Sequence, residues 1–105
     1  MAPIQDQIDL LVRCIVDAVH PLKIVLFGSA SRDEMRSGSD IDVLVVMPDG
    51  VHRGHIAQHL YQAVNGVATP FDILVSTPSD LEKHKDNPWL IYKTILEEGR
   101  ILYAA

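Results

Sequence analysis

Gly28-Ser29-Ala30-Ser31-Arg32 and, after a short polar loop, Ser39-Asp40-Ile41-Asp42-Val43-Leu44-Val45-Val46 are the stretch on which the reading of the fold turns. The apolar run after Ser39 predicts a strand. A strand has a side-chain period of two, so Asp40 and Asp42 point to the same side of it. Two acids on one face of a largely buried strand are costly unless something cationic neutralises them. A divalent metal is the natural candidate. Upstream, Leu22 to Phe27 is almost continuously apolar apart from Lys23, as expected of a central strand covered on both faces. The Gly28-Ser29 turn that ends it can offer backbone N–H groups to phosphate. Acids of this kind beside such a turn suggest nucleotide chemistry.

Outward from this stretch, the pattern alternates. Ile4, Ile8, Leu11, Val12, Ile15, Val16 and Val19 recur at helical spacing, so a first helix is expected from about Pro3 to Val19, ended by His20-Pro21. A short helix is expected around Ser31 to Met35 and the acid-bearing strand from Asp40 to Met47, stopped by Pro48-Asp49-Gly50. A second long helix follows from roughly His52 to Asn65, with Gly66 placed like a C-terminal cap. Phe71 to Val75 reads as a third strand. Thr77-Pro78-Ser79-Asp80 opens a short helix through about His84, and Trp89 to Glu98 forms the last one, stopped by Gly99. Ile101 to Tyr103 is a short final strand or an extended tail. The expected fold class is α/β (α+β): one domain over 1–105, with a small mixed sheet of three to five strands flanked by helices in two or three layers.

Composition narrows the function. A formal net charge of −5 argues against the broad basic face that grips long nucleic acid, so no direct binding of it is expected. No apolar run approaches the ~20 residues that span a bilayer, and no basic segment precedes Asp6 and Asp9 as in a signal peptide. No membrane association and a cytoplasmic location are expected. The single cysteine, Cys14, leaves no internal disulfide and fits a reducing compartment.

The third strand carries one acid among apolar neighbours, Phe71-Asp72-Ile73-Leu74-Val75. An isolated acid there is an edge-strand group facing water. If the strand lies beside Asp40–Val46 with Asp72 level with Asp42, three carboxylates converge and repel. Two Mg²⁺ ions would remove that repulsion and create a reaction centre, since a pair of metals clamps the attacking and leaving oxygens of an in-line displacement. Magnesium prefers hard oxygen ligands, which Asp supplies. Gly28 lets backbone approach a triphosphate closely, Ser29 adds a hydroxyl, and Arg32 lies within reach of a phosphate oxygen.

Gly28-Ser29, Arg32, Ser39-Asp40-Ile41-Asp42 with an apolar strand behind, and Asp72 in a later strand together resemble the nucleotidyltransferase fold of the DNA polymerase β superfamily. The small size and the closing Glu97-Glu98-Gly99-Arg100-Ile101-Leu102-Tyr103 resemble its minimal nucleotidyltransferase branch. The resemblance covers about Leu22 to Tyr103. It implies that Asp40 and Asp42 ligate both Mg²⁺ ions and that Asp72 completes the metal site and helps activate the acceptor. It also implies that Gly28, Ser29, Arg32 and Ser39 contact the nucleotide. Members of this branch are often encoded with a small helical HEPN protein, as antitoxin and toxin, and transfer AMP from ATP onto the partner, commonly onto a tyrosine. With no room seen for an acceptor-binding domain, the acceptor is expected on another molecule or another copy of the chain. Two other functions stand beside this one: a non-catalytic antitoxin that neutralises its partner by binding, and transfer to a small molecule of the aminoglycoside type.

Other features have simpler readings. His52, His55 and His59 fall within about a 60° arc of one helix, a spacing zinc accepts, but with no Cys or acid to complete the set they read as a polar helix flank. Lys23 marks the exposed beginning of its strand, and Trp89 packs the last helix onto the sheet. Ser29 has no local histidine to make it a nucleophile.

Overall fold

A computed structural model describes residues 4–28, 40–85, 87 and 91–105. The elements run in the order α1 (Ile4–Val19), β1 (Lys23–Phe27), β2 (Ile41–Val46), α2 (Arg53–Ala63), β3 (Phe71–Ser76), α3 (Pro78–His84), α4 (Ile91–Glu98) and β4 (Arg100–Ala104). The short helix expected at Ser31 to Met35 and the packing of Trp89 fall outside the described residues.

The sheet has the order β3-β2-β1-β4. Strand β1 pairs antiparallel with both β2 and β4, whereas β2 and β3 are parallel. A parallel pair needs a long crossover, and α2 supplies it. The final residues form a true strand, β4, joined to β1 with a bulge between Ile24 and Val25. This is the mixed α/β architecture expected of the chain, and four strands lie within the range anticipated.

Alternation along the strands makes three layers. Ile24, Leu26, Val43, Val45, Ile73 and Val75 share one core with Ile8, Leu11 and Ile15 of α1 and Leu60 of α2. Val25, Leu44 and Val46 turn to the other face and pack with Ile95 of α4, Leu81 of α3 and Tyr92. Covering both faces explains why β1 and β2 are nearly continuous in apolar residues.

The ends of the helices follow from local chemistry. His20 adopts the left-handed conformation, φ 47°, and donates its N–H to Val16 O at 3.0 Å, closing α1 ahead of the buried Pro21. Thr77 caps α3, its Oγ1 accepting from Asp80 N at 3.3 Å. Asp49 Oδ1 accepts from Ser79 N at 3.1 Å and its Oδ2 from Ser79 Oγ at 2.8 Å. Those bonds favour the ionised form and lower the Asp49 pKa. The C-cap of α2 is Val64 rather than Gly66, because the Val64 N–H already donates to Leu60 O at 3.0 Å.

Leu26 is fully buried in the middle strand of this sheet. Leu26→Ala is expected to lower unfolding free energy by about 2–5 kcal/mol through lost transfer energy and a residual cavity, measured as a reduced urea midpoint at unchanged slope.

Candidate active site

The site is built at one end of β1, β2 and β3. Asp42 is the second residue of β2 and stands opposite Asp72 in the parallel register of β3, and opposite Phe27, the last residue of β1. Asp40 immediately precedes β2 and is exposed, Asp42 is half-buried, and Asp72 is exposed. Asp42 and Asp72 have the same parity as Leu44 and Leu74, so both carboxylates lie on the sheet face covered further along by α3 and α4. Fold topology thus makes Asp72 level with Asp42, the arrangement that the sequence left conditional.

Gly28 completes this corner. It has φ 74°, and a Cβ built there would lie 2.7 Å from Asp42 Oδ2. Any side chain at position 28 would drive into the carboxylate, and the backbone conformation disfavours one as well. The glycine therefore does two things: its positive φ ends β1, and its missing side chain lets the backbone lie close against the Asp42 carboxylate.

Electrostatics mark the same place. The pKa of Asp42 is raised, first by desolvation, then by the negative charges of Asp72 and Asp40. Among the described residues no three His, Cys, Asp or Glu side chains already form a closed set around one point. The acids are within electrostatic reach of one another without being drawn together. Hard oxygen donors paired across a ladder suit Mg²⁺, which commonly takes one or two protein carboxylates and completes its shell with water and substrate phosphate.

Of the seven residues singled out in the sequence, the structure sets Asp72 and Gly28 beside Asp42, and Asp40 within electrostatic reach of it. Ser29, Arg32 and Ser39 lie outside the described residues. Lys23 is at the other end of β1, opposite Val46, and so is remote from the acids. The histidines are exposed on α2. His52 caps that helix, its Nδ1 accepting from His55 N at 3.1 Å, and its ring stacks on His55 with centroids 3.9 Å apart. A hollow of about 560 Å³ lies beside Ile73, Leu74 and Val75, walled by Val51, His52, Arg53 and Tyr92. It runs beside β3, and none of the three acids lines it. Sequence reading missed Tyr61, whose hydroxyl accepts from Ile73 N at 2.8 Å; no local signal on an exposed helix position reveals a bond to a strand.

Comparisons with known proteins agree with the fold. Residues 8–102 match the family model described as a nucleotidyltransferase domain. A Methanocaldococcus jannaschii protein named "Putative protein adenylyltransferase MJ0604" is 29% identical over 84 residues, covering 77% of each chain. A solved toxin–antitoxin structure with AMP-PNP superposes with a TM-score of 0.60 at 22% identity, covering 92% of this chain and 73% of that one. A nucleotidyltransferase-like structure from Sulfolobus solfataricus gives 0.61 at 17% identity, with 96% and 86% covered.

The raised pKa of Asp42 means that the folded chain holds this proton to higher pH than the unfolded chain does. Ionisation of Asp42 therefore subtracts stability as pH rises through the raised value, and the penalty is fully present above it. Without added metal, Asp42→Asn is expected to stabilise the protein at neutral pH by up to about 1 kcal/mol, since water screens much of the repulsion. The gain should vanish once pH falls below the ordinary carboxylate value of about 4. Thermal melts of both proteins across that range test it.

Proposed function

We propose, from the premise that this chain belongs to the nucleotidyltransferase domain family, that it transfers AMP from ATP to a hydroxyl of a partner protein. The observation that carries this reading is the register that sets Asp72 beside Asp42, next to the uncovered turn at Gly28. Asp40, Asp42 and Asp72 would hold Mg²⁺. Bound there, the metal neutralises the like charges of the acids and of the triphosphate and lowers the pKa of an incoming hydroxyl.

The chain's own residues do the rest. Gly28 keeps the approach to Asp42 clear of side-chain atoms. Ser29 and Ser39 supply hydroxyls to the phosphates, and Arg32 supplies a guanidinium. Asp72, on the outermost strand of the sheet, faces the side from which an acceptor arrives, and its carboxylate takes the hydroxyl proton. The acceptor oxygen bonds to the α-phosphorus as the bond to the β-phosphate breaks, and pyrophosphate leaves.

A protein acceptor is favoured by the naming of the M. jannaschii relative. A chain of the solved toxin–antitoxin structure with AMP-PNP has the same fold. On this reading the chain is an antitoxin, its acceptor is a tyrosine of a helical HEPN-type toxin, and AMP attachment silences the toxin.

Incubation with labelled ATP, Mg²⁺ and the protein encoded beside this chain should place label on that protein. Asp42→Asn should reduce transfer by at least about a hundredfold while circular dichroism stays unchanged. Protection of cells by Asp42→Asn equal to that by the unsubstituted chain would favour neutralisation through binding instead.

A further inference from the structure

Asp72 is on an edge strand. Strand β3 has β2 on one side and, among the described residues, no strand on the other. Side-chain parity and ladder parity together fix what that means. The carbonyls of Pro70 and Ser76 bond β2 and its following residue, accepting from Ile41 N at 2.9 Å and Met47 N at 2.8 Å. The backbone groups of Asp72 and Leu74 point the same way, and those of Phe71, Ile73 and Val75 point outward. Ladder bonds fix β3 on one side alone, so what holds its other side bears on the separation of Asp72 from Asp42.

Tyr61 occupies that open side. It projects from α2, and its hydroxyl accepts the outward N–H of Ile73 at 2.8 Å. Its ring stacks on Phe71, with centroids 5.8 Å apart and planes 13° from parallel. Phe71 and Ile73 are the two neighbours of Asp72 in the chain. One side chain thus touches both residues that flank the acid, one by a hydrogen bond and the other by an offset ring stack. Tyr61 is nevertheless 46% exposed, so core filling does not account for its place.

We propose that Tyr61 is the positioning residue of Asp72: it replaces the missing neighbour strand and holds the acid at the distance from Asp42 that a shared divalent cation requires. This rests on the metal-dependent reading above. The hydroxyl and the ring have separable roles. The hydroxyl fixes the strand's lateral position, and the ring prevents rotation of its first residues.

The experiment is a double-mutant cycle on the full chain with Mn²⁺ as the probe, free Mn²⁺ being read by electron paramagnetic resonance, alongside steady-state AMP transfer. Tyr61→Phe keeps the ring and removes the hydrogen bond. It should weaken Mn²⁺ binding roughly three- to tenfold, in keeping with the loss of one hydrogen bond. It should lower kcat by a similar factor and leave KM for ATP unchanged. In an Asp72→Asn background the same substitution should have no further effect on Mn²⁺ binding, because the group it positions is gone. Tyr61→Leu, which also removes the stack, should weaken binding more than Tyr61→Phe and also lose its effect beside Asp72→Asn. Mn²⁺ binding by Tyr61→Phe equal to that of the unsubstituted chain would overturn the proposal. So would a loss that persists undiminished beside Asp72→Asn, which is the behaviour of a general structural support. Failure of the unsubstituted chain to take up Mn²⁺ would overturn the metal reading itself, and with it the role given to Tyr61.

Discussion

The parallel register that sets Asp72 opposite Asp42 is the constraint on which the site depends. A parallel ladder places directly paired residues about 5 Å apart between strands, and both of these point to the same face. Nothing in the ladder itself favours two carboxylates there. They are held by what lies further along the same strands: Leu44 and Val46 packed with Ile95 on one face, and Val43, Val45, Ile73 and Val75 packed under α1 and α2 on the other. Burial of those side chains outweighs the cost of the charges, and the raised pKa of Asp42 records the cost that remains.

The layers also decide which side of the site is open. Strand β1 ends at Phe27, level with Asp42, and Gly28 follows at a spacing from the Asp42 carboxylate that leaves no room for a Cβ. Lys23, the cation of that strand, is at the opposite end and does not quench the acids. Strand β3 is outermost, so Asp72 is accessible from the side while Asp42 is flanked on both sides. This asymmetry distinguishes the two acids. The inner one is held by two neighbouring strands, whereas the outer one depends on a helix side chain, Tyr61, for what a third neighbour would have provided.

Much of the site was legible because its parts are local. Asp40 and Asp42 stand two residues apart at the start of one strand, although the strand proper begins at Ile41 and not at Asp40 as expected, and Gly28 marks a turn that sterics confine to glycine. The helices were legible through apolar periodicity and through ends with recognisable chemistry, such as Pro78 behind Thr77. The histidine trio shows the limit of spacing arguments. Its zinc-like interval is accounted for by a helix cap and a ring stack at His52 and His55. Gly66 shows another limit, since the hydrogen bond that ends α2 forms two residues earlier, at Val64.

By itself the sequence determined most of the described elements, the buried character of β1 and β2, and the placing of Asp40 and Asp42 at the start of one strand, because each depends on groups a few residues apart. Only the tertiary structure decided that β3 runs parallel to β2 with Asp72 level with Asp42, that β4 closes the other side of β1, and that Tyr61 reaches the edge of β3. Those relations join residues 12 to 81 positions apart in the chain. They are chosen by which faces bury together and which backbone groups find partners, and neither choice is written in any one segment.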